Sequence, residues 1–591
     1  MAPSLESLSV GLLDNIVSFV QPRSALFQLA LVSKKYNSLA TSHLYRHIFL
    51  DSDCPDGGVR HMLPFAFIIL QKPHIASLVR TFTFRGHFHD EENLTFAPNN
   101  EEEDDRRLPW PNHVERSDLL RGLIKRISHS QDEEEEWNEA VLSQYAPVDD
   151  AILSLLLISL PNLRLLDLEI TTFQLNFLAR TFNRVASSQA PFITDPPFAR
   201  LTDIMLTGSD DIYPAQYVLF TACCRLPSIK RLYGNRLGVE DDRAQLRTLT
   251  GATTIETLEL RHSKLHDDDL HVILRPLKSL QTLIYHIGNP YARTTVRTRD
   301  ILSAFAIHAT SLRRLAIDHE DEHPFYFYPE ADGGDRAEPL SFVGFTALTH
   351  LRVAPVFLFG RTVLIDYIEP GSLEEDQMLN ILRVAFPPNL KSLYVTHAGY
   401  MFLSAQDGME RAFEILLRHK ECIPNLHELV FEGVFEGPFA DKESIRRLGQ
   451  LISLAGEVGV SASAVSLQEN SYVKERGWGW DEESYDNENQ RQSTAINGNN
   501  LFERVGLGQV HHTGARCMVP VVAHALIWFI AEADFREEHV FPSQYAIEGY
   551  VVCRTLNPIT ISLFEIVISQ LACSYIDFGC GRQYPLVFFF A

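Results

Sequence analysis

Paired cysteine spacing is the first thing this sequence lacks. The 591 residues include eight cysteines, Cys54, Cys223, Cys224, Cys422, Cys517, Cys553, Cys573 and Cys580. They form neither a disulfide framework nor the CxxC pairs of a zinc site, so reduced, mostly buried thiols and a cytoplasmic or nuclear location are expected. Positive charge is also scarce: 52 Lys and Arg stand against 76 Asp and Glu, a net charge of −24. That balance excludes a general binder of nucleic acid or of an anionic membrane, because both require clustered Lys and Arg. Residues Met1 to Leu13 lack the basic start and long apolar centre of a signal peptide, so secretion is not expected. The most membrane-like stretches, Val519 to Ala531 and Leu556 to Cys573, are broken by His524 and by Asn557 with Glu565. Their apolar runs are too short to span a bilayer, so no transmembrane helix is expected.

Catalytic signatures are missing too. There is no Gly-rich phosphate loop, HExxH, GxSxG or kinase motif, and no cofactor, metal or enzymatic activity is expected. His511 and His512 near Cys517 have no companions at ligand spacing and read as a solvated loop. The stretch His266 to His271 reads as the start of a helix, since Asp favours helix N-termini.

The composition is that of a folded protein, with 45% hydrophobic and 22% charged residues. A chain of this length exceeds one ordinary core unless it is a repeat array, whose core grows unit by unit. A repeat is present. Apolar anchors at spacings of three and two recur as Val79, Phe82, Phe84; Leu163, Leu166, Leu168; Leu201, Ile204, Leu206; Ile255, Leu258, Leu260; and Leu280, Leu283, Tyr285. They continue as Leu312, Leu315, Ile317; Leu348, Leu351, Val353; Leu390, Leu393, Val395; and Leu426, Leu429, Phe431, with Ile229 and Leu232 a weaker copy ending in Gly234. From Leu163 onward successive starts lie between 25 residues (Ile255 to Leu280) and 42 residues (Leu348 to Leu390) apart.

The spacing Leu-x-x-Leu-x-Leu is that of a leucine-rich repeat, in which a short strand buries its anchors and shows alternate residues on a concave face. The expected fold is an α/β solenoid, an irregular arc with one parallel sheet inside and mainly helices outside. Such a frame points to binding rather than catalysis.

Near the N-terminus, Leu12, Leu13, Ile16, Phe19 and Val20 recur at helical spacing, and Leu26, Leu29, Leu31 and Val32 continue the pattern after Pro22. Three small helices fit in residues 1–50. Over residues 5 to 50 the stretch beginning "LSVGLLDNIVSF" and running through "LALVSKKY" resembles an F-box, of the kind that precedes leucine-rich repeats in filamentous fungi. Leu8, Leu12, Leu13, Ile16, Leu29, Val32, Ser33 and Lys34 carry the likeness. Ser9 stands where the pattern has proline and Gly11 where it has glutamate, which predicts a less pre-organised helix start.

The resemblance implies a non-catalytic, substrate-recognition subunit of a Skp-cullin-F-box ubiquitin ligase. Its F-box would offer Leu8, Leu12, Leu13, Ile16 and Leu29 to a Skp-type adaptor and through it to a cullin-RING ligase, while the repeats hold an unknown protein substrate. The alternative is a non-degradative repeat scaffold whose degenerate F-box is only a cap. A cap needs one buried face; a docking module needs apolar groups left over.

Positions alternating with the anchors give a candidate substrate surface. The outer strands show Asp167, Glu169, Asp203, Glu428 and Glu432, whereas the middle shows Arg231, Tyr233, Arg261, His286, Arg314, His350, Arg352 and Tyr394. Arg forks suit carboxylates and phosphates, so an acidic or phosphorylated segment is the expected ligand. The other reading is a solvated face on which Glu259 and Asp318 neutralise the arginines.

Around these parts, residues 51–89 read as a linker and first strand and 90–150 as an acidic, mobile insertion with the runs "EEEDD" and "DEEEE". The repeats occupy 151–465 and a disordered linker 466–500. Residues 501–591, ending "YPLVFFFA", have no repeat register.

Overall fold

A strand that buries every second side chain needs a neighbour on each edge, and anchor triplets spaced along the chain supply one neighbour after another. The computed structural model describes residues 8–20, 23–51, 59–86, 114–142, 148–170, 176–208, 217–237, 246, 249, 253–263, 265, 267–288, 298–319, 340–359, 374–398, 408–433, 442–466 and 495–496. The expectations for residues 90–113, for 467–494 and 497–500, for 501–591, for His266, and for Cys54, Cys517, Cys553, Cys573 and Cys580 lie outside the described residues. The chain divides into two compact units, with the boundary after Thr41.

The described part of the first unit is helical: α1 (Val10–Ser18), α2 (Arg23–Val32) and the greater part of α3 (Lys34–Leu44). Leu13, Val17, Leu26, Ala30, Tyr36, Leu39 and Ala40 are its buried apolar residues.

The second unit is built on one sheet whose strand order follows the sequence. Its strands are β1 (His47–Asp51), β2 (Thr81–Gly86), β3 (Leu165–Ile170), β4 (Asp203–Gly208), β5 (Arg231–Asn235), β6 (Thr257–Ser263), β7 (Thr282–Ile287), β8 (Arg314–His319), β9 (His350–Val353), β10 (Ser392–Val395), β11 (Glu428–Gly433) and β12 (Ser461–Ser466). All twelve pair in parallel, and the two-residue β13 (Ala495–Ile496) pairs antiparallel with β12. The arrangement is an α/β solenoid.

All ten expected triplets fall on β2–β11. Their second anchors stand in one register, Phe82, Leu166, Ile204, Leu232, Leu258, Leu283, Leu315, Leu351, Leu393 and Leu429, each facing the next. These ten side chains are all fully buried. Together with the helices they form one continuous core. The helices that contribute to it are α4 (Val59–Gln71), α5 (Pro73–Ala76), α6 (Val114–Ile127), α7 (Gln131–Leu142), α8 (Val148–Ile158), α9 (Asn176–Ala186), α10 (Tyr217–Arg225), α11 (Asp267–Leu274), α12 (Thr298–Ala306), α13 (Glu375–Ala385), α14 (Gly408–Arg418) and α15 (Lys442–Glu457). Met205 and Tyr233 form a separate small cluster, because they point away from that core.

A second regularity runs along the starting ends of the strands. The Arg46 carbonyl accepts from the N–H groups of both Arg80 and Thr81, Arg80 O from Arg164 and Leu165, and Arg164 O from Thr202 and Asp203. The same doubled bond repeats at Thr202, Lys230, Glu256, Gln281, Arg313, Thr349 and Lys391.

The acidic run at 131–139 is a correction to the expectation of a mobile insertion. Ser130 caps α7 by accepting from Glu133 N at 3.2 Å, and the apolar face Trp137, Ala140 and Val141 is buried. Glu133 is itself buried: it accepts from His129 N at 2.7 Å, from Trp137 Nε1 at 3.3 Å, and from Arg184 on α9 at 2.7 Å. Burial pushes its carboxyl up, but the Arg184 hydrogen bond and charge, with the other donors, hold it below the ordinary carboxylate value. Arg180 pairs with Glu136 at 2.7 Å and lies over the Phe177 ring. The acids of α7 thus face the arginines of α9. Replacing Glu133 with Ala leaves Arg184 half-buried without its partner and should lower stability by roughly 3–5 kcal/mol, read from urea denaturation. A loss within about 0.5 kcal/mol would mean that α7 is not part of the folded unit.

The weak fourth triplet, on β5, has a local explanation. Gly234 occupies the third-anchor position of β5, and a Cβ there would meet Leu260 Cδ2 at 3.3 Å and Phe220 Cε2 at 3.4 Å. The ring of Phe220, fully buried on α10, fills the space that an anchor side chain takes elsewhere. Phe220→Ala should therefore cost about 3–5 kcal/mol and Gly234→Leu about 1–3 kcal/mol. The double variant should lose less than the sum by at least about 0.5 kcal/mol, since one side chain refills the cavity left by the other. Additive losses would contradict this packing.

Candidate functional site

Two places gather side chains suited to binding, one in each unit. In the first unit, Ser9 starts α1 with φ at −60°, and its hydroxyl accepts from Leu12 N at 3.4 Å. That cap satisfies an N–H otherwise left without a partner at a helix start. Ser9 therefore organises the helix start in its own way, against the expectation of a softer one.

The expected adaptor residues separate into two sets. Leu13 is buried, 1% exposed, stacked with Val17 on the inward stripe of α1, so it belongs to the core of the unit and not to a contact surface. Leu8 and Leu29 are half-buried. Leu12 and Ile16 lie outward, 54% and 37% exposed. Outward with them are Val10, Phe19, Phe27, Leu31 and Val32, so the helix pair presents a row of exposed large apolar side chains. Leu12 and Leu13 head adjacent i,i+4 stripes, and periodicity cannot say which of two neighbouring stripes turns inward.

In the second unit, the expected substrate residues lie on β5–β10, all on the face away from the core. Their environments differ. Arg231 is paired with Asp203, and Arg261 with Glu259, which is fully buried. Tyr233, 1% exposed and packed on Met205, offers no surface to a ligand, a correction to its expected role. Neighbouring side chains on parallel strands stand about 4.8 Å apart, so large groups in this row cover one another. Arg314 and His350 face each other across β8 and β9, and the His350 ring meets Thr349 Oγ1 at 2.8 Å.

The remaining residues converge on Asp318 near the end of β8. Its Oδ1 accepts from Thr396 Oγ1 at 3.0 Å and lies 2.8 Å from His397 Nε2. Arg352 Nη2 stands 3.9 Å from Asp318 Oδ2 and 3.0 Å from Glu432 Oε1, and its guanidinium lies over the Tyr394 ring at 4.8 Å. His397 stacks flat on His319 at 4.7 Å, and His262 meets His286 edge-on at 4.3 Å. A bulge between Leu260 and Ser263 carries His262 to this place at φ 47°. The bulge requires Gly288, where a Cβ would lie 2.5 Å from His262 O. Sequence periodicity named Arg352, His286 and Tyr394; His397 and Glu432 come to them only through the ends of β10 and β11.

Arg231, Arg261 and Arg352 are neutralised within the chain, and the cluster around Asp318 is a polar clasp across β8–β11 rather than an open basic stripe. Burial pushes the Asp318 carboxyl up, but the charge and hydrogen bond of His397, with His286 and Arg352, hold it well below the carboxylate range. Burial pulls His397 down, while Asp318 and Glu432 outweigh it and raise it. Burial, then the neighbouring His262, lowers His286 to about 3. No Ser or Cys hydrogen-bonds to this cluster among the described residues, and no group of three or more His, Cys, Asp or Glu side chains there is placed to hold a metal ion.

These shifts set the pH response. His286, folded near 3 against an ordinary 6.5, contributes stability that is complete above pH 6.5 and is lost as pH falls toward 3. Asp318 adds a loss below its ordinary 3.8. His397, raised above 6.5, contributes stability that is complete below 6.5 and is lost as pH rises through its folded value. Urea midpoints should therefore peak near neutrality, and His286→Asn should flatten the decline between about pH 6 and pH 4. Equal acid slopes in wild type and His286→Asn would contradict this assignment.

Among the described residues no helix is long and apolar enough to cross a membrane. No protein-family model matches this chain, and none of the curated proteins matches it.

Proposed function

We propose that this chain is an F-box protein with leucine-rich repeats, the substrate-recognition subunit of a Skp-cullin-F-box ubiquitin ligase. The observation that carries the reading is the apolar surplus of the first unit. A cap would use its leucines inward, whereas Val10, Leu12, Ile16, Phe27, Leu31 and Val32 on α1 and α2, with Phe19 just past α1, are turned to solvent. Exposed aliphatic and aromatic groups on this scale mark a protein contact, and F-box helices dock on a Skp-type adaptor through such a surface. The contact would be centred on Leu12 and Ile16, with Leu8 and Leu29 at its border and Leu13 holding the helices together from inside.

In this reading the second unit supplies recognition and the partners supply the chemistry. A rigid sheet holding a target near the ligase raises the local concentration of its lysines, a proximity effect that needs no active site in this chain. The ion pairs of Arg231, Arg261 and Arg352 make that face polar, with Arg352 and Tyr394 presented together.

Copurification with a Skp-type adaptor tests the proposal. Leu12→Asp with Ile16→Asp should abolish capture, because charge at an apolar contact has no partner, while the circular dichroism spectrum is kept because both side chains already face water. Adaptor capture at wild-type level by the folded double variant would overturn it.

A further inference from the structure

The starting ends of β1–β4 carry an arrangement that neither the anchors nor the polar clasp uses. Arg46, Arg80 and Arg164 stand immediately before the first residues of β1, β2 and β3, and Arg200 stands three residues before β4, where Thr202 takes the equivalent place. The doubled backbone bonds Arg46 to Arg80, Arg80 to Arg164 and Arg164 to Thr202 fix the first three as direct neighbours on one edge. Arg46, Arg164 and Arg200 are exposed and Arg80 is half-buried.

Two of the guanidiniums are held by one asparagine. Arg80 Nη1 donates to Asn162 O at 3.3 Å and to Ser77 O at 3.1 Å, while Arg200 Nη1 donates to Asn162 Oδ1 at 2.6 Å. Asn162 Nδ2 in turn donates to Ser77 O at 2.7 Å. These partners are neutral. Among the described residues none of the four arginines has a carboxylate salt bridge, in contrast to Arg231 with Asp203 and Lys230 with Glu256 on the next strands. The repulsion is not relieved: burial first, then the charges of Arg164, Arg200 and Arg46, push the Arg80 guanidinium down.

Three arginines fixed side by side, with Arg200 joined to them through Asn162 and no carboxylate bridge to any of the four among the described residues, form a local site for an anion in a chain of net charge −24. The strand step of about 4.8 Å sets Arg46 and Arg164 roughly 10 Å apart, which matches anionic groups about three residues apart on an extended segment. The Lys230–Glu256 pair closes the row at β5. A nucleic-acid backbone continues its charge well beyond that length and would meet the acidic remainder of the protein.

We infer that the β1–β4 edge is a binding site for an extended protein segment carrying phosphoserine, phosphothreonine or clustered carboxylates, clamped by Arg46, Arg80, Arg164 and Arg200. The site lies on a different edge from the polar clasp and does not depend on the ubiquitin-ligase reading. Loss of adaptor capture would leave it untouched.

Fluorescence anisotropy on the full chain tests it, with a labelled peptide bearing two phosphoserines about three residues apart. Wild type should bind this peptide and its double-glutamate form, should bind the unmodified peptide at least about tenfold more weakly, and should lose affinity as salt rises. Arg164→Ala with Arg200→Ala should weaken the phosphopeptide at least about tenfold with an unchanged melting curve, and Lys391→Ala, farther along the same edge, should leave binding as it is. Equal binding by the double variant would overturn the inference. So would a single-stranded oligonucleotide binding as tightly, which would assign a general polyanion site, or inorganic phosphate competing at the peptide's own affinity, which would assign a free-anion site.

Discussion

The parallel register of the second anchors is the constraint on which the rest of the second unit depends. Phe82 through Leu429 face one another strand by strand, so each leucine is buried partly by its predecessor and partly by its successor. Burying one such side chain contributes about 1.5–3 kcal/mol, but only when both neighbours are in place. Segments between strands are free to vary in length, because each doubling of a loop costs only about 0.6 kcal/mol. That is how starts 25 and 42 residues apart coexist in one ladder. The constraint also disposes of the alternate side chains, which line up in rows on the other face and either pair, as Arg261 does with Glu259, or cover each other, as Tyr233 and Met205 do.

How much of this was legible depended on side-chain size and on contacts that cross the sequence. Large anchors at spacings of three and two revealed ten strands. β1 also has such a set in Tyr45, Ile48 and Leu50, all packed in or against the core, but those residues read equally well as the exit from an F-box. β12 places Ala462 and Ala464 at the anchor positions, and alanines give no periodic signal. The helix at Gln131–Leu142 was masked by its acids, although Ser130 with Glu133, followed by Trp137, Ala140 and Val141, spells a capped amphipathic helix. Only the fold brings Arg180 and Arg184 to those acids. The polar clasp was half legible, since His397 and Glu432 join Asp318 and Arg352 through register alone.

Function divides along the same line. Both units turn apolar groups inward, yet the first unit leaves Phe19, 83% exposed at the end of α1, and its companions on α1 and α2 outside. The second unit presents charge on its strands, paired at Arg231, Arg261 and Arg352 and, among the described residues, without a carboxylate bridge at the Arg46–Arg200 edge. In the proposed reading, the first surface would meet the adaptor and the second unit would hold the target.

The continuous register is tested most directly by native-state hydrogen exchange on the full chain. The doubled bonds to successive carbonyls predict slow exchange at the amides of Arg164, Thr202, Lys230, Glu256, Gln281, Arg313, Thr349, Lys391 and His427, with the central strands β5–β8 the slowest. Exchange at Glu256, Gln281 and Arg313 as fast as in an unfolded peptide would contradict a single ladder running from β1 to β12.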